Sequence, residues 1–251
     1  MSEAPGGVPV GVVGGDGSVA DAVAAAGGDP VTGEAAAVVD AGPRVVVAVG
    51  EPALVDLVAA GVNVPVLPVS IADAVQSVSV SGIVPAVASV LAGEFETVTR
   101  PLLSVANGTD AERTPALFDL ALVTDEPARI SEFTVLSGAN RVATFRADGV
   151  VVATPAGSTG YARAAEGPVV APGTGVVAVV PISPFVTDAD HWVLPTDGVG
   201  LRVERDETPV RLVADGRDAG TVEPHDRLSV STRGSLAVAV VDASAGVFDS
   251  P

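Results

Sequence analysis

Residues suited to chemistry are densest from Asp148 through Gly149, Val150, Val151, Val152, Ala153, Thr154, Pro155, Ala156, Gly157, Ser158, Thr159 and Gly160 to Tyr161, with Glu166-Gly167-Pro168 close behind. An apolar strand over Val150 to Ala153 delivers the chain into Thr154-Pro155. Small residues there let backbone come close to a ligand. Ser158 and Thr159 add hydroxyls and backbone N–H groups, and Tyr161 adds an aromatic face with a polar tip. A nucleotide, with its sugar hydroxyls and phosphates, suits that mixture. A Gly/Pro-rich hairpin with no ligand would use the same residues.

A second candidate is Gly14-Gly15-Asp16-Gly17-Ser18, after the apolar run Val8 to Val13. Consecutive glycine N–H groups at a helix start suit phosphate, so Gly14, Gly15 and Gly17 are candidate phosphate-binding residues. Asp16 is a candidate general base. The structural alternative is a tight turn with positive φ at the glycines and an Asp that caps a helix. Glu51, in Gly50-Glu51-Pro52-Ala53, is the second candidate base. Asp188, Asp190 and His191 are metal-ligand residue types, but the run reads as an acidic surface loop, and no metal ligands are assigned. His225 reads as part of a turn. Ser158 lacks the Gly-x-Ser-x-Gly elbow, which argues against a serine hydrolase.

The elements that must position these residues fall into two patterns. Val8–Val13, Arg44–Val49 and Val64–Val69 read as buried strands; Ser18–Ala26, Glu34–Ala41, Ala53–Ala60 and Ile83–Leu91 read as helices. That alternation predicts an α/β domain with a parallel, Rossmann-like sheet over residues 1–93. From Glu94 the pattern becomes short strands broken by Gly, Asn, Asp and Pro: Glu94–Val105, Ala116–Val123, Glu132–Leu136, Arg141–Phe145 and Val150–Ala153, then Val176–Val180, Gly200–Val203, Val210–Val213, Arg227–Ser231 and Leu236–Val241. This predicts an all-β, sandwich-like domain over 94–241, with 242–251 as a tail. In a doubly wound sheet the loops at the carboxyl ends of neighbouring strands meet at the switch point, which would bring Asp16 beside Glu51.

The run from Asp148 to Gly167-Pro168 resembles the NAD kinases, which phosphorylate the adenosine-ribose 2′-hydroxyl of NAD. Val180-Pro181-Ile182-Ser183-Pro184 is similar to that family's Pro-Ile-Cys/Ser-Pro segment, and Ala214-Asp215-Gly216-Arg217 to its late Asp-Gly-Gln turn. Gly93 through Leu103 looks like its entry into the β domain. The resemblance implies an α/β domain followed by a β domain, NAD held between them, and homo-oligomers. It implies NAD contacts from Asp119, Asp148, Thr154, Gly157, Ser158, Thr159, Gly160 and Tyr161. ATP or polyphosphate is the implied donor, with Mg²⁺ as the divalent metal that offsets phosphate charge. Departures are visible too. The family's Gly-Gly-Asp-Gly-Thr loop falls on Gly50-Glu51-Pro52-Ala53, so its Asp is missing. Its Asn-Glu pair falls on Phe118-Asp119, and its Gly-Phe-Leu stretch has no counterpart over Pro68–Ser77. An inactive NAD(P)-binding paralogue, or a related phosphotransferase with another substrate, is the alternative expectation.

Composition narrows the classes. The chain has 251 residues, 31 acidic side chains against 13 basic ones, and a net charge of −18. Every basic residue is Arg, which excludes a Schiff-base Lys and a Walker-type P-loop Lys. Charge compensation for phosphate then falls to Arg, backbone N–H groups and metal. The absence of Cys excludes disulfides and thiolate chemistry. The acidic surface disfavours nucleic acid and anionic membranes as partners and fits a cytoplasmic protein working in high salt. No basic leader or long apolar run marks it for export.

Overall fold

The structure is a computed structural model that describes residues 7–71, 75–107, 115–125, 130–185, 190–205 and 209–248. The chain forms two units, one of Met1–Arg100 with Ser235–Pro251 and one of Pro101–Gly234.

The first unit alternates β1 (Val8–Val13), α1 (Gly17–Ala25), β2 (Gly28–Thr32), α2 (Ala35–Asp40), β3 (Val45–Val49), α3 (Glu51–Ala59), β4 (Val66–Val69) and α4 (Ile83–Ala92). Its strands pair in parallel in the order β2-β1-β3-β4, and Val238 near the end of the last strand pairs in parallel with Val66. Unbroken valine runs suit strands covered on both faces. Val10, Val12, Val45, Val47 and Leu67 pack with Val19 and Val23 of α1 and Val87 of α4, while Leu54 and Leu57 of α3 are also fully buried. Gly93 ends α4 with φ +77°, the left-handed cap that a side chain would strain. Beyond Val241 the chain stays with this unit: Ser77 and Ala245 exchange backbone hydrogen bonds of 3.0 Å in both directions. No helix among the described residues is long and apolar enough to cross a membrane.

The order β2-β1-β3 matters for function. The connection from β1 runs to β2 on one side of it and β3 lies on the other, so the order in which strands are added reverses between β1 and β3. Loops following those two strands flank the crevice where open α/β sheets hold ligands.

The second unit is all-β apart from one short helix. β5 (Glu96–Asn107) leads into it; β6 (Asp119–Thr124), β7 (Ser131–Ser137), β8 (Asn140–Ala147) and β9 (Gly149–Ala153) follow, then α5 (Tyr161–Ala164). β10 (Val176–Ile182), β11 (Trp192–Pro195), β12 (Val199–Val203), β13 (Val210–Ala214), β14 (Arg217–Val222) and β15 (Arg227–Val240) complete it. One sheet is six-stranded in the order β11-β10-β9-β6-β13-β14; in the other, β12 lies between β15 and β7, and β8 follows β7. A single apolar layer joins them, with Leu120, Leu122, Val150, Val152, Val177 and Val179 from the first against Phe133, Val135, Leu201 and Leu228 from the second. The opposite face of the six-stranded sheet carries a smaller cluster, in which Ala121, Val151, Ala153 and Ala178 pack with Ala162 of α5. The fold is therefore a parallel α/β unit plus an all-β sandwich-like unit.

Candidate functional site

The second unit builds its site where β6 and β9 run side by side, with Asp119 opposite Ala153. One residue later the Thr154 N–H donates to the Phe118 carbonyl at 2.9 Å, and the Thr154 hydroxyl donates to the Leu117 carbonyl at 2.6 Å. That hydroxyl also accepts the Gly157 N–H at 3.2 Å. The Ser158 hydroxyl donates to the Pro155 carbonyl at 2.8 Å and accepts the Val170 N–H at 3.0 Å. Both side chains are fully buried, so their hydroxyls fasten the turn rather than face solvent. The Thr159 hydroxyl is different: its oxygen is buried without a hydrogen-bond partner among the described residues. A buried polar group without a partner calls for one, and a bound ligand or an ordered water can supply it.

Gly157 packs directly on the strand. A Cβ there would lie 2.0 Å from the Phe118 carbonyl oxygen, closer than any contact allows. Gly160 precedes α5, and Tyr161 opens that helix with its ring about half exposed.

Asp119 is buried, and its position in β6 places it on the same sheet face as Ala121, the face on which α5 packs. Asp148, half-buried, immediately precedes β9. Burial raises the Tyr161 phenol above its ordinary range, and the nearby carboxylates of Asp119 and Asp148 push it the same way. The structure therefore brings Asp119, Asp148 and Tyr161 into one electrostatic neighbourhood. Beside them lies an open cleft of about 490 Å³, lined by Tyr161, Glu166, Ile182, Ser183, Pro184 and His191, a size that suits small-molecule sites. Glu166 and Ser183 hold left-handed backbone at φ +66° and +47°.

Tyr161 is the only tyrosine, so phenolate absorbance near 295 nm reports it alone. The midpoint of that titration is expected above the ordinary phenol value, and Asp119→Asn is expected to lower it. The sign for stability follows. The folded state holds this proton more tightly than the unfolded chain, so the contribution is complete below the ordinary phenol pKa. It is lost as pH rises through the folded one.

Asp215 was legible in the sequence only as part of a turn, and the structure gives it a larger part. Its carboxylate accepts the N–H groups of Leu117 at 2.7 Å, Phe118 at 2.7 Å and Asp119 at 3.0 Å. An Asp-Gly pair between two strands was the available signal, since Asp tolerates left-handed backbone and bonds nearby N–H groups.

In the first unit the loops after β1 and β3 touch. A Cβ on Gly14, at φ +77°, would meet the Val49 carbonyl oxygen at 2.5 Å and Ala53 Cβ at 2.9 Å, and one on Gly15, at φ +73°, would meet Val49 at 3.0 Å. Gly17 has open space around it. Asp16 is exposed and caps α1, its carboxylate accepting both the N–H and the hydroxyl of Ser18. The Ser18 hydroxyl and then its N–H hold the Asp16 carboxyl below the usual carboxylate range. Glu51 is exposed at the start of α3, beside Pro52 and after Gly50 at φ +82°. Asp16 and Glu51 thus belong to neighbouring loops at the carboxyl end of one parallel sheet. Among the described residues no three His, Cys, Asp or Glu side chains are grouped to hold a metal ion. Asp188 lies outside the described residues.

Residues 118–241 match the family model of the ATP-NAD kinase C-terminal domain. Over those residues, just under half of its length, the chain resembles the NAD kinases. Among curated NAD kinases, that of Methanosarcina barkeri is 35% identical over 109 residues, 43% of this chain and 40% of its own. The NAD kinase of Symbiobacterium thermophilum is 38% identical over 145 residues, 56% of this chain and 51% of its own. The chain thus spans about half the length, or less, of these relatives. Over nearly the whole chain the fold matches solved structures. An NAD kinase from Archaeoglobus fulgidus in complex with ATP superposes with TM-score 0.76 at 20% identity, covering 94% of this chain and 93% of that one. Yeast NADH kinase complexed with NADH superposes with TM-score 0.76 at 16% identity, covering 95% and 85%. The segment matched to the NAD kinase domain contains the Thr154–Tyr161 turn, Asp119, Asp148 and Asp215; it contains neither the Gly14–Gly17 loop nor Glu51.

Proposed function

We propose that this protein binds NAD and phosphorylates its adenosine-ribose 2′-hydroxyl to give NADP, with ATP or polyphosphate as donor. The observation that carries this reading is the turn from Thr154 to Tyr161. It lies inside the family-matched segment and is fastened through Thr154 to Leu117 and Phe118. Beside it stand a buried carboxylate, a half-exposed phenol and an open cleft. In this reading Asp119 and Asp148 accept hydrogen bonds from ribose or amide groups of the dinucleotide, and Tyr161 offers its ring. The free Thr159 hydroxyl and the backbone of Gly157 to Gly160 complete the contacts.

Phosphoryl transfer needs a group that takes the proton from the attacking hydroxyl, and donors that steady phosphate oxygens. Asp16 or Glu51 is the proposed base, and the N–H groups of Gly14, Gly15 and Gly17 the proposed phosphate contacts. Mg²⁺ belongs to the donor's phosphates in this reading, since such ions are commonly held by substrate oxygens and water. The acidic, Lys-free composition supports a cytoplasmic protein working in high salt, and the family resemblance supports a homo-oligomer.

One observation favours a second reading. The loop after β3 carries Glu51-Pro52 at the start of α3, and no Asp stands there. This fits a protein that binds NAD(P) without turning it over. The test is direct: purified protein in molar salt with NAD, Mg²⁺ and either ATP or polyphosphate, assayed for NADP, with calorimetry for NAD and NADP. NADP formation is the expected result. Heat of NAD binding without NADP would establish the second reading, and neither signal would reject both.

A further inference from the structure

The segment Leu117–Asp119 is held from two directions. Thr154 and Gly157 grip its carbonyl side from the turn after β9. Asp215 grips its N–H side from the β13–β14 turn. Three successive N–H groups converge on that one carboxylate: Leu117 on Oδ2, Phe118 and Asp119 on Oδ1. The Asp215 N–H in turn donates to the Asp119 carbonyl at 3.0 Å. Asp215 holds left-handed backbone at φ +47° to make this fit, a conformation a non-glycine residue keeps only when its surroundings enforce it.

The carboxylate does work that a strand neighbour does elsewhere. Leu120 to Thr124 pair with β13 residue by residue, starting from Leu120 opposite Ala214. Ahead of Leu120 one backbone bond continues the ladder, from the Asp215 N–H to the Asp119 carbonyl, while the Asp215 side chain takes the N–H groups of Leu117, Phe118 and Asp119. This fixes the backbone from which Asp119 projects, on the sheet face that carries α5.

We propose that Asp215 is a positioning residue for nucleotide binding: it sets the backbone of Leu117–Asp119 so that the Asp119 carboxylate stands beside Tyr161. The part concerning NAD rests on the function proposed above; the part concerning Asp119 and Tyr161 does not. Asp215 is not among the groups whose charge acts on Tyr161, whereas Asp119 is. An effect of Asp215 on the Tyr161 phenol is therefore expected to pass through the position of Asp119, and the double variant separates that route from a change in Tyr161 burial.

The experiment is a cycle of Asp215→Asn and Asp119→Asn, single and double, read by Tyr161 absorbance titration and by calorimetry with NAD. Asp215→Asn keeps the shape but replaces one carboxylate oxygen with an amide that repels an N–H donor. Its Tyr161 midpoint is expected to fall toward that of Asp119→Asn, and the double variant is expected to fall no further than Asp119→Asn alone. NAD binding is expected to weaken roughly tenfold in either single variant, and not multiplicatively in the double. Asp215→Glu, which keeps the charge and displaces it by one methylene, is run in parallel and decides the matter if the Asn variant does not fold. Folded variants at Asp215 with an unchanged Tyr161 midpoint, or strictly additive effects, would overturn the proposal. Failure of the wild type to bind NAD would count against the proposed function and leave the titration cycle to judge Asp215.

Discussion

Gly157→Ala is expected to undo the Thr154–Tyr161 turn and abolish NAD binding. The added methyl carbon would sit 2.0 Å from the Phe118 carbonyl oxygen and 2.4 Å from its carbonyl carbon. Both are backbone atoms, so no flexible side chain can swing away. The peptide they belong to is fixed by the Thr154 N–H on one side and the Asp215 carboxylate on the other. The turn must therefore lift off the strand, which breaks the Thr154 hydrogen bonds to Leu117 and Phe118 and exposes a buried hydroxyl. Overpacking costs about 1–3 kcal/mol and occasionally more, and a clash with two backbone atoms belongs at the upper end. A large fall in Tm is expected, followed by fluorescence of Trp192, the only tryptophan, which stacks on Phe145 in the same unit. Gly160→Ala is the control for Tm alone, because its nearest contact is an ordinary 3.5 Å to the Gly157 carbonyl oxygen. A Gly157→Ala protein with wild-type Tm and NAD affinity would contradict the packing described here.

Why some of the fold was legible and some was not can be seen in particular elements. Val45–Val49 announces itself, because a strand covered on both faces has only apolar choices. Gly28-Asp29-Pro30-Val31-Thr32 does not: β2 pairs with β1 alone, at the sheet edge, where Pro and Asp are tolerated and no apolar run is required. Trp192–Pro195 and Arg217–Val222 hide for the same reason, as the two edges of the six-stranded sheet. Arg227–Val240 reads as two strands because Thr232-Arg233-Gly234-Ser235 looks like a turn, yet the strand runs through it with Gly234 at φ +78°. Its two ends find different partners, β12 at one and β4 at the other, and sequence periodicity carries no information about partners.

The site divides in the same way. The glycines and hydroxyls of the turn were visible because residue type and spacing limit what they can do. That Thr154 and Ser158 spend their hydroxyls inside the protein was not, since a hydroxyl's partner depends on chain far away in sequence. By its residues the strand Ala116–Val123 starts at Ala116. In fact β6 begins at Asp119, because the N–H groups of Leu117 and Phe118 go to Asp215, nearly a hundred residues further on.

Asp16→Asn is expected to leave folding and NAD binding intact and to cut NADP formation by about a hundredfold or more, the usual range for loss of a general base. The substitution is chosen because it separates two roles of one side chain. As the cap of α1, Asp16 accepts from Ser18, and an Asn oxygen accepts equally well, so Tm should hold. As a base, Asp16 must take a proton, and an amide does not. Asp16→Ala loses both roles and should show a small fall in Tm as well. The Ser18 hydrogen bonds add a pH signature. They hold the Asp16 carboxyl low, so the stability they contribute is present above the ordinary carboxylate pKa and fades as pH falls through the lowered one. The acid limb of the rate profile should follow the same lowered value, and Ser18→Ala should shift it upward. Glu51→Gln supplies the contrast, since Glu51 stands in the adjoining loop. Loss of turnover in Glu51→Gln with normal turnover in Asp16→Asn would transfer the role to Glu51. Full turnover in both would remove each from the mechanism, because no third carboxylate stands in either glycine loop.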